Sequence, residues 1–265
     1  MVFHKLALAG ALSVVTMSAP KDLLFAHQTA DLSAAALPQD DRHDLAALDR
    51  WLRRLADSAG FSGLVLIQRS GRVVLDRAYT RGRPSLTSES AFWLASTTKQ
   101  FTAAAIMKLV DEGKLAATDS LSNFFRRLPR DARDITIDQL LTHTSGIAAS
   151  NAAEGVVDRD AAVRAILAEP LKHAPGESYH YEDEDYTILA AIVEVASGKP
   201  FEAFVERSLL IPAGLTRTGF CGRLPASVKV APSARRDVAP PCTANSTPID
   251  WADRGATGGR RGQGQ

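Results

Sequence analysis

The sequence predicts a mixed α/β fold of the α+β kind, in which one antiparallel hairpin precedes a series of helices. Two apolar runs, Leu64–Ile67 and Val73–Leu75, flank a Ser70-Gly71 turn and predict the hairpin. Apolar residues at helical spacing then recur up to Leu210. After Thr218 glycine, proline, alanine, serine and arginine dominate and this spacing is lost, so we expect little regular structure there.

The bulk composition is that of an ordinary globular protein. The 265 residues are enough for one large domain or two modest ones, with 45% apolar and 23% charged residues. The 31 basic and 30 acidic residues leave a net charge of +1, which gives no support to a nucleic-acid partner. No run of about 18 consecutive apolar residues is present, so we predict no membrane-spanning helix.

The N-terminus has the charge order of a secretory signal peptide. A small positive patch at Met1–Lys5 precedes the apolar run Leu6–Ala19, so we assign residues 1–30 to a leader and leave them out of the fold. An ordinary apolar helix is the alternative, and the cleavage site is poorly marked. We therefore predict an exported protein, periplasmic or secreted. In that setting Cys221 and Cys242 could form a disulfide or stay as two thiols.

The helices can be placed in chain order from their periodicity and their end signals. Asp41–Ala59 carries a stripe of leucines and ends at Gly60. The next helix runs from Ser96 to Gly113, and Thr136 is a possible N-cap of a short helix. Glycine or proline ends most of the later segments. The further helical segments are predicted at 118–128, 136–141, 160–169, 182–197 and 201–210.

Ser96 and Lys99 are the residues that suggest chemistry. Phe101–Val110 is apolar on most sides, which predicts a buried central helix, and the i, i+3 spacing places Ser96 and Lys99 on one face of its first turn. Burial and the positive end of a helix both favour a neutral lysine that can act as a base. Backbone N–H groups at the helix start could stabilise an oxyanion. Alone, however, S-x-x-K is a weak pattern that also arises on surfaces and at helix caps.

Four ordered stretches together are more specific than this motif. They are Ser96–Thr102 with Leu109–Leu115, Leu140–Gly146, Pro175-Gly176 with Tyr179, Tyr181 and Tyr186, and Ile211–Leu215 with Thr218. The set, spanning roughly residues 45–259, resembles the serine β-lactamase-related family. That family includes class C β-lactamases, D-alanyl-D-alanine carboxypeptidases, D-aminopeptidases and related esterases. The resemblance implies a DD-peptidase/β-lactamase-like fold, with an antiparallel sheet flanked by helices and a helical subdomain.

The resemblance also implies a reaction. Ser96 would attack an amide, lactam or ester carbonyl to form an acyl-enzyme, Lys99 and Tyr181 would move the proton, and water would release the acid. The substrate would be a small molecule or a peptide. No metal and no organic cofactor is implied, and we expect a monomer.

Asp183 departs from the family pattern. The second family motif is Tyr-x-Asn, and Asp183 occupies the place of the asparagine that binds the substrate amide. An anion there stabilises charged Lys99 and removes two N–H donors. Because acids run from Glu182 to Asp185 at a predicted helix start, we interpret Asp183 as a capping residue that has displaced the substrate-binding amide. A metal site is not expected, since neighbouring helical residues do not converge.

The last two predictions concern His143 and the third family motif. We interpret His143 as a structural histidine in a turn, hydrogen-bonded to backbone, rather than as a general base. The third motif, Lys/His-Thr/Ser-Gly, is met only superficially by Thr257-Gly258. We therefore expect a C-terminally truncated chain, with a partial domain at 41–259, a non-matching disordered tail at 260–265 and an incomplete sheet. A catalytically inactive truncated homologue, or a binding module, is the alternative to an active hydrolase.

Overall fold

The computed structural model describes residues 13–17, 23–25, 39–69, 71–80, 86, 90–150, 152–220, 223 and 228. The mixed α/β prediction is confirmed for this part of the chain, which combines small antiparallel sheets with a helical region. The predictions made for Cys221, Cys242, Thr257-Gly258 and the tail lie outside the described residues.

Most of the predicted elements are present, with small shifts in their bounds. The strands are β1 (Ser13–Met17), β2 (Leu23–Phe25), β3 (Gly63–Arg69), β4 (Arg72–Tyr79), β5 (Phe92–Trp93) and β6 (Gly219–Phe220). The α-helices are α1 (Gln39–Ala59), α2 (Lys99–Asp111), α3 (Ile137–Leu141), α4 (Arg159–Ile166), α5 (Asp183–Ser197) and α6 (Phe201–Val205). Short 3₁₀ turns lie at Ala95–Thr98 and Leu121–Asn123, and a π-helical turn at Glu206–Leu210 extends α6.

The predicted hairpin belongs to a three-stranded sheet. Strands β3 and β4 pair as expected, and β1 pairs with the other edge of β3, with Ser13 opposite Gln68 and Met17 opposite Leu64. This differs from the sequence interpretation, which left residues 1–30 outside the fold. The segment Ser13–Met17 is rich in β-branched residues, which suit a strand as well as an apolar leader. The leader and the export of the protein remain predictions.

Helix α1 covers this sheet and is tied to it by Asp49. A separate apolar core lies between them, formed by Leu52, Ala56, Val65, Ile67, Leu75 and Tyr79. Asp49 accepts hydrogen bonds from the Tyr79 hydroxyl at 2.8 Å and Arg53 Nε at 3.1 Å, and Arg77 Nη1 lies 2.8 Å away. Burial opposes the charge, but these partners hold the pKa of Asp49 below its ordinary value of 3.8.

We expect Asp49→Asn to lower the free energy of unfolding by about 1 kcal/mol at neutral pH, the usual net worth of such hydrogen bonds. A lowered folded-state pKa contributes stability that is present above the unfolded value and is lost as pH falls through the folded one. The difference between wild type and variant should therefore shrink below about pH 3.8. Urea unfolding at pH 7 and pH 3 measures it, and a difference independent of pH would contradict this role.

The second sheet lies directly before the predicted nucleophile in the chain. Strand β2 lies between β5 and β6, with Leu24 opposite both Trp93 and Gly219. The pairing holds the backbone of β5, and the 3₁₀ turn that contains Ser96 begins two residues after this strand ends.

Helix α5, rather than α2, is the centre of the helical core. Every residue of α5 from Glu184 to Val193 is buried, and α2, α3, α4 and α6 pack against it. Helix α2 is buried on one face, and Met107 on its other side is 46% exposed, so the prediction that α2 is the buried central helix is wrong. The buried positions of α2 follow the i, i+3, i+4, i+7 spacing of a one-sided helix. They are Lys99, one turn earlier, and then Thr102, Ala105, Ile106 and Leu109.

Local hydrogen bonds explain where the short helices begin and end. Thr136 caps α3 in a capping box with Gln139, as predicted. The segment 118–128 is not the helix that was predicted. Its backbone pairs instead with the strand-like approach to α3, because Leu121 N–H donates to Ile135 O and Ile137 N–H donates to Asp119 O. Only one 3₁₀ turn remains there.

Candidate active site

The structure brings Ser96 and Lys99 together at the start of α2. Ser96 lies in the exposed part of the 3₁₀ turn, whereas Lys99 is 7% exposed. Lys99 Nζ lies 3.4 Å from Ser96 Oγ. An accessible hydroxyl thus stands next to a buried amine, which is the arrangement that a nucleophile and its proton-transfer partner require.

Two backbone N–H groups beside Ser96 are used within the turn itself. Ala95 has a φ of +46°, a left-handed conformation that a non-glycine residue rarely adopts. Thr97 N–H donates to Leu94 O at 2.9 Å, and Lys99 N–H contacts the carbonyls of Ser96 and Thr97. These two N–H groups are therefore not available to an oxyanion, contrary to the general expectation for a helix start. The N–H of Ser96 is the candidate that this leaves.

Asp183 points into the site and does not cap its helix. Its Oδ1 accepts a hydrogen bond from Lys99 Nζ at 2.6 Å, and the two side chains are 16% and 8% exposed. Asp183 is the first residue of α5, and the N-cap is Glu182. The interpretation of Asp183 as a capping residue is therefore wrong. Lys99 Nζ therefore faces both Asp183 and Ser96, and a contact as short as that with Asp183 is typical of an ion pair.

Tyr181 and Tyr186 surround the same amine. The Tyr181 ring centroid lies 4.8 Å from Lys99 Nζ and that of Tyr186 lies 5.6 Å away, within cation–π range. Tyr181 is 47% exposed, so a substrate can reach it. Tyr186 is buried and donates its hydroxyl proton to Leu141 O at 3.1 Å. Burial, with Asp185 and Tyr181 nearby, raises the pKa of Tyr186, which keeps this phenol neutral.

A second polar cluster, which the sequence did not reveal, lies behind these rings. Asp185 is fully buried, and its Oδ2 lies 2.9 Å from His143 Nδ1. Ser145 Oγ donates to Asp185 Oδ1 at 2.5 Å and accepts from Ile147 N–H at 3.1 Å. Burial raises the pKa of Asp185 in spite of the bonds from His143 and Ser145.

This Ser145–Asp185–His143 cluster is not a second catalytic triad. In a triad the histidine stands between serine and carboxylate, whereas here the carboxylate stands in the middle. Ser145 is also buried and cannot meet a substrate. The main partner of the His143 ring is not the backbone, as predicted, but a buried carboxylate: Nδ1 lies 2.9 Å from Asp185 Oδ2 and 3.4 Å from the Glu182 backbone nitrogen.

Each acid at the start of α5 has a specific partner, so the run is more than a favourable interaction with the helix dipole. The partners are Lys172 for Glu182, Lys99 for Asp183, the Ser150 N–H for Glu184, and His143 with Ser145 for Asp185. These five partners lie between 10 and 84 residues away along the chain, which explains why helical periodicity and spacing could not find them. The available signal was three acids in the first turn of a helix whose following residues are mostly apolar.

Within the described residues, no group of three or more His, Cys, Asp or Glu side chains is arranged to hold a metal ion. None of the helices in the same ranges combines the length and apolar character that a bilayer-spanning segment needs.

Comparison with known proteins places this chain in a family. Residues 48–261 match the Beta-lactamase family. The chain is 34% identical over 169 residues to the "Putative penicillin-binding protein PbpX" of Bacillus subtilis (strain 168), a match that covers 61% of this chain and 42% of that protein. It is 31% identical over 204 residues to a "Putative D-alanyl-D-alanine carboxypeptidase" of Escherichia coli O157:H7, covering 66% and 47%.

A solved structure of a protein with a related name has a similar fold. The octameric penicillin-binding protein homologue from Pyrococcus abyssi superimposes with a TM-score of 0.58 at 27% identity, over 66% of this chain and 44% of that one. The matches thus span less than half of each of these proteins. The family match covers most of the chain and includes Ser96, Lys99, Tyr181 and Asp183. The chain belongs to the β-lactamase family and has the β-lactamase and penicillin-binding-protein type of fold.

Proposed function

We propose that this chain is a serine hydrolase that acts through an acyl-enzyme on an amide, lactam or ester carbonyl, with Ser96 as the nucleophile. The observation that carries the proposal is the exposed Ser96 hydroxyl, 3.4 Å from the amine of buried Lys99 at the start of α2. Membership of the β-lactamase family supports a hydrolase in general, and the geometry supports these particular residues.

The reaction has two halves. Ser96 Oγ bonds to the carbonyl carbon as its proton leaves, the bond to the leaving group breaks, and that group takes up a proton. Water then adds to the acyl carbon, the Ser96 ester breaks, and the acid is released as the hydroxyl is restored. The N–H of Ser96 would donate to the carbonyl oxygen as negative charge develops on it.

The proton path runs through Lys99 and Tyr181. As long as Lys99 is an ammonium paired with Asp183, it can orient Ser96 but cannot accept a proton. It must first lose a proton, and the Asp183 carboxylate, whose Oδ1 lies 2.6 Å from the amine, opposes this loss because it attracts the positive charge. Tyr181, whose ring lies against the same amine, is the second participant in our proposal.

The substrate is a small molecule or peptide with a carbonyl that can reach an open site. The names of the relatives, a penicillin-binding protein and a D-alanyl-D-alanine carboxypeptidase, favour lactams and peptides that end in D-amino acids. A simple ester needs the same residues and fewer contacts, so we include it. We also propose an exported monomer, which size-exclusion chromatography can distinguish from an octamer of the kind named for the Pyrococcus abyssi homologue.

A non-catalytic binding module is the second candidate, and the Lys99–Asp183 ion pair is the observation that favours it. A carboxylate at 2.6 Å stabilises the charged lysine and opposes its use as a base. It also presents acceptors where an asparagine would offer two N–H donors to a substrate. Such a site could hold a ligand without turning it over.

Pre-steady-state kinetics separates the two candidates. With a p-nitrophenyl ester, a hydrolase that forms an acyl-enzyme should release a rapid burst of about one nitrophenolate per site, followed by a slower steady rate. The same mixing experiment with a chromogenic lactam and a D-alanyl-D-alanine peptide ranks the substrates. Reversible binding of a labelled penicillin, with neither burst nor turnover on any substrate, would favour the binding module.

A further inference from the structure

We propose that His143 is a positioning residue that fixes the Tyr181 ring beside Lys99, and that Asp185 and Ser145 in turn fix His143. This role rests on the proposed function, because it matters only if Tyr181 takes part in proton transfer. It assigns a purpose to a buried polar cluster that the chemistry described above does not use.

Ring contacts join His143 to the site. Its imidazole centroid lies 4.5 Å from that of Tyr181, with the planes inclined by 42°, and 5.1 Å from that of Tyr186. Tyr179 meets it edge-on at 6.0 Å. Aromatic rings at these separations attract and restrict one another. Because Tyr181 is half exposed, the His143 face is a major restraint on where its ring lies.

Asp185 holds the imidazole in one orientation. Asp185 Oδ2 lies 2.9 Å from His143 Nδ1, a hydrogen-bond distance that fixes the plane of the ring, and the 2.5 Å bond from Ser145 occupies the other carboxylate oxygen. Asp185 has no exposed surface, so water cannot replace either partner. A buried carboxylate with two fixed donors is a rigid support for the ring it binds.

The backbone reinforces the same arrangement. His143 has a φ of +56°, and its carbonyl accepts from His180 N–H at 2.9 Å, one residue before Tyr181. Gly176 N–H donates to Thr144 O at 2.7 Å, and Lys172 N–H donates to Gly146 O at 2.8 Å. Gly146 has a φ of +81°, and a Cβ there would collide with the His173 carbonyl. The turn at 142–146 therefore sets both the path of the chain before Tyr181 and the surface on which its ring rests.

His143 acts through Tyr181 and not on the substrate. A general base must reach the proton that it removes, but the His143 ring is buried and its Nδ1 is already bonded to Asp185. The Tyr181 ring, by contrast, touches the Lys99 amine and is open to solvent. A shift of the tyrosine by a fraction of an ångström would change the position of its ring relative to Lys99, and we expect the reaction rate to fall.

Asp185→Asn tests this inference, with Thr142→Ala as a control in the same turn, since the exposed Thr142 hydroxyl bonds locally to Asp138 O and Thr144. We expect Asp185→Asn to lower kcat on a p-nitrophenyl ester about tenfold with KM within about twofold. Ser145→Ala should lower kcat less, because it removes one of the two bonds to the carboxylate. Thr142→Ala should leave both constants unchanged.

NMR of ¹³C-labelled tyrosine gives a readout that does not need activity. The protein has four tyrosines, and Tyr181→Phe identifies the Tyr181 signals. The His143 ring current should displace these signals from free-tyrosine values, and Asp185→Asn should move them towards those values. Ser145→Ala should move them part of the way.

The outcomes separate this inference from the proposed function. Unchanged Tyr181 signals in folded Asp185→Asn would overturn the inference, whatever happens to kcat. It would also be overturned if Thr142→Ala shifted them as much as Asp185→Asn does. A wild-type chain without turnover would count against the proposed function, while the NMR shifts would still show whether Asp185 and His143 hold Tyr181.

Discussion

Ser96→Ala is expected to lower hydrolysis by at least about a thousandfold, because it removes the hydroxyl oxygen that we propose forms the acyl-enzyme. The exposed Ser96 hydroxyl faces Lys99 Nζ. Ser145, in the Ser145–Asp185–His143 cluster, is buried against Asp185. The variant should still bind the substrate carbonyl, but it should form no acyl-enzyme. Initial rates with a p-nitrophenyl ester and a D-alanyl-D-alanine peptide measure the effect.

Ser58→Ala is the matched control for this loss. Ser58 is an exposed serine near the end of α1, far from the candidate site in the sequence, and its hydroxyl donates to Arg54 O within the same helix. The same chemical change there should leave the rate within about twofold of wild type. Equal rates for wild type and Ser96→Ala, in chains of equal melting temperature, would exclude Ser96 as the nucleophile.

Asp183→Asn is expected to raise kcat/KM about tenfold to a hundredfold. Opposite unit charges about 4 Å apart attract by about 4 kcal/mol at the effective dielectric near a protein surface, so the Asp183 carboxylate beside Lys99 Nζ opposes release of the lysine proton during the reaction. The neutral amide removes this attraction. It also provides N–H donors for a substrate carbonyl. We expect less than the full electrostatic effect, because solvent and side chains rearrange.

Asp160→Asn is the control for this gain. Asp160 is also an aspartate in the first turn of a helix, α4, and pairs with Arg159 at the surface. Its replacement tests the loss of an acid at a helix start without touching Lys99, so the rate should not change. A fall in activity with Asp183→Asn would show that the carboxylate is itself needed, as the acceptor of the lysine proton, and would contradict the inhibitory role.

Local sequence signals predicted the elements well where short-range bonds decide them. The Ser70-Gly71 turn, the Thr136 cap and the Gly198 end of α5 each depend on residues within one turn, and the structure shows the hairpin and both helices. The contact of Ser96 with Lys99 was predictable for the same reason, since i, i+3 side chains on a helical turn are neighbours.

Pairings between distant segments could not be predicted in this way. Asp183 lies 84 residues after Lys99 and Asp185 lies 42 after His143, so nothing in the local pattern says that these side chains meet. The favourable interaction with the helix dipole, which we predicted for the acids at the start of α5, is therefore only part of their role. Each of these acids also has a partner in another part of the fold. The same holds for α2, whose apolar composition suggested a central helix although α5 occupies the centre.

The most direct test is to map the site of covalent modification. The chain should be treated with a fluorophosphonate and with a penicillin, weighed intact, digested and sequenced by mass spectrometry. We expect one adduct per chain, located on Ser96 and absent from Ser96→Ala, with faster formation in Asp183→Asn. No adduct on the folded chain, or an adduct that persists in Ser96→Ala, would contradict the assignment of Ser96 as the nucleophile.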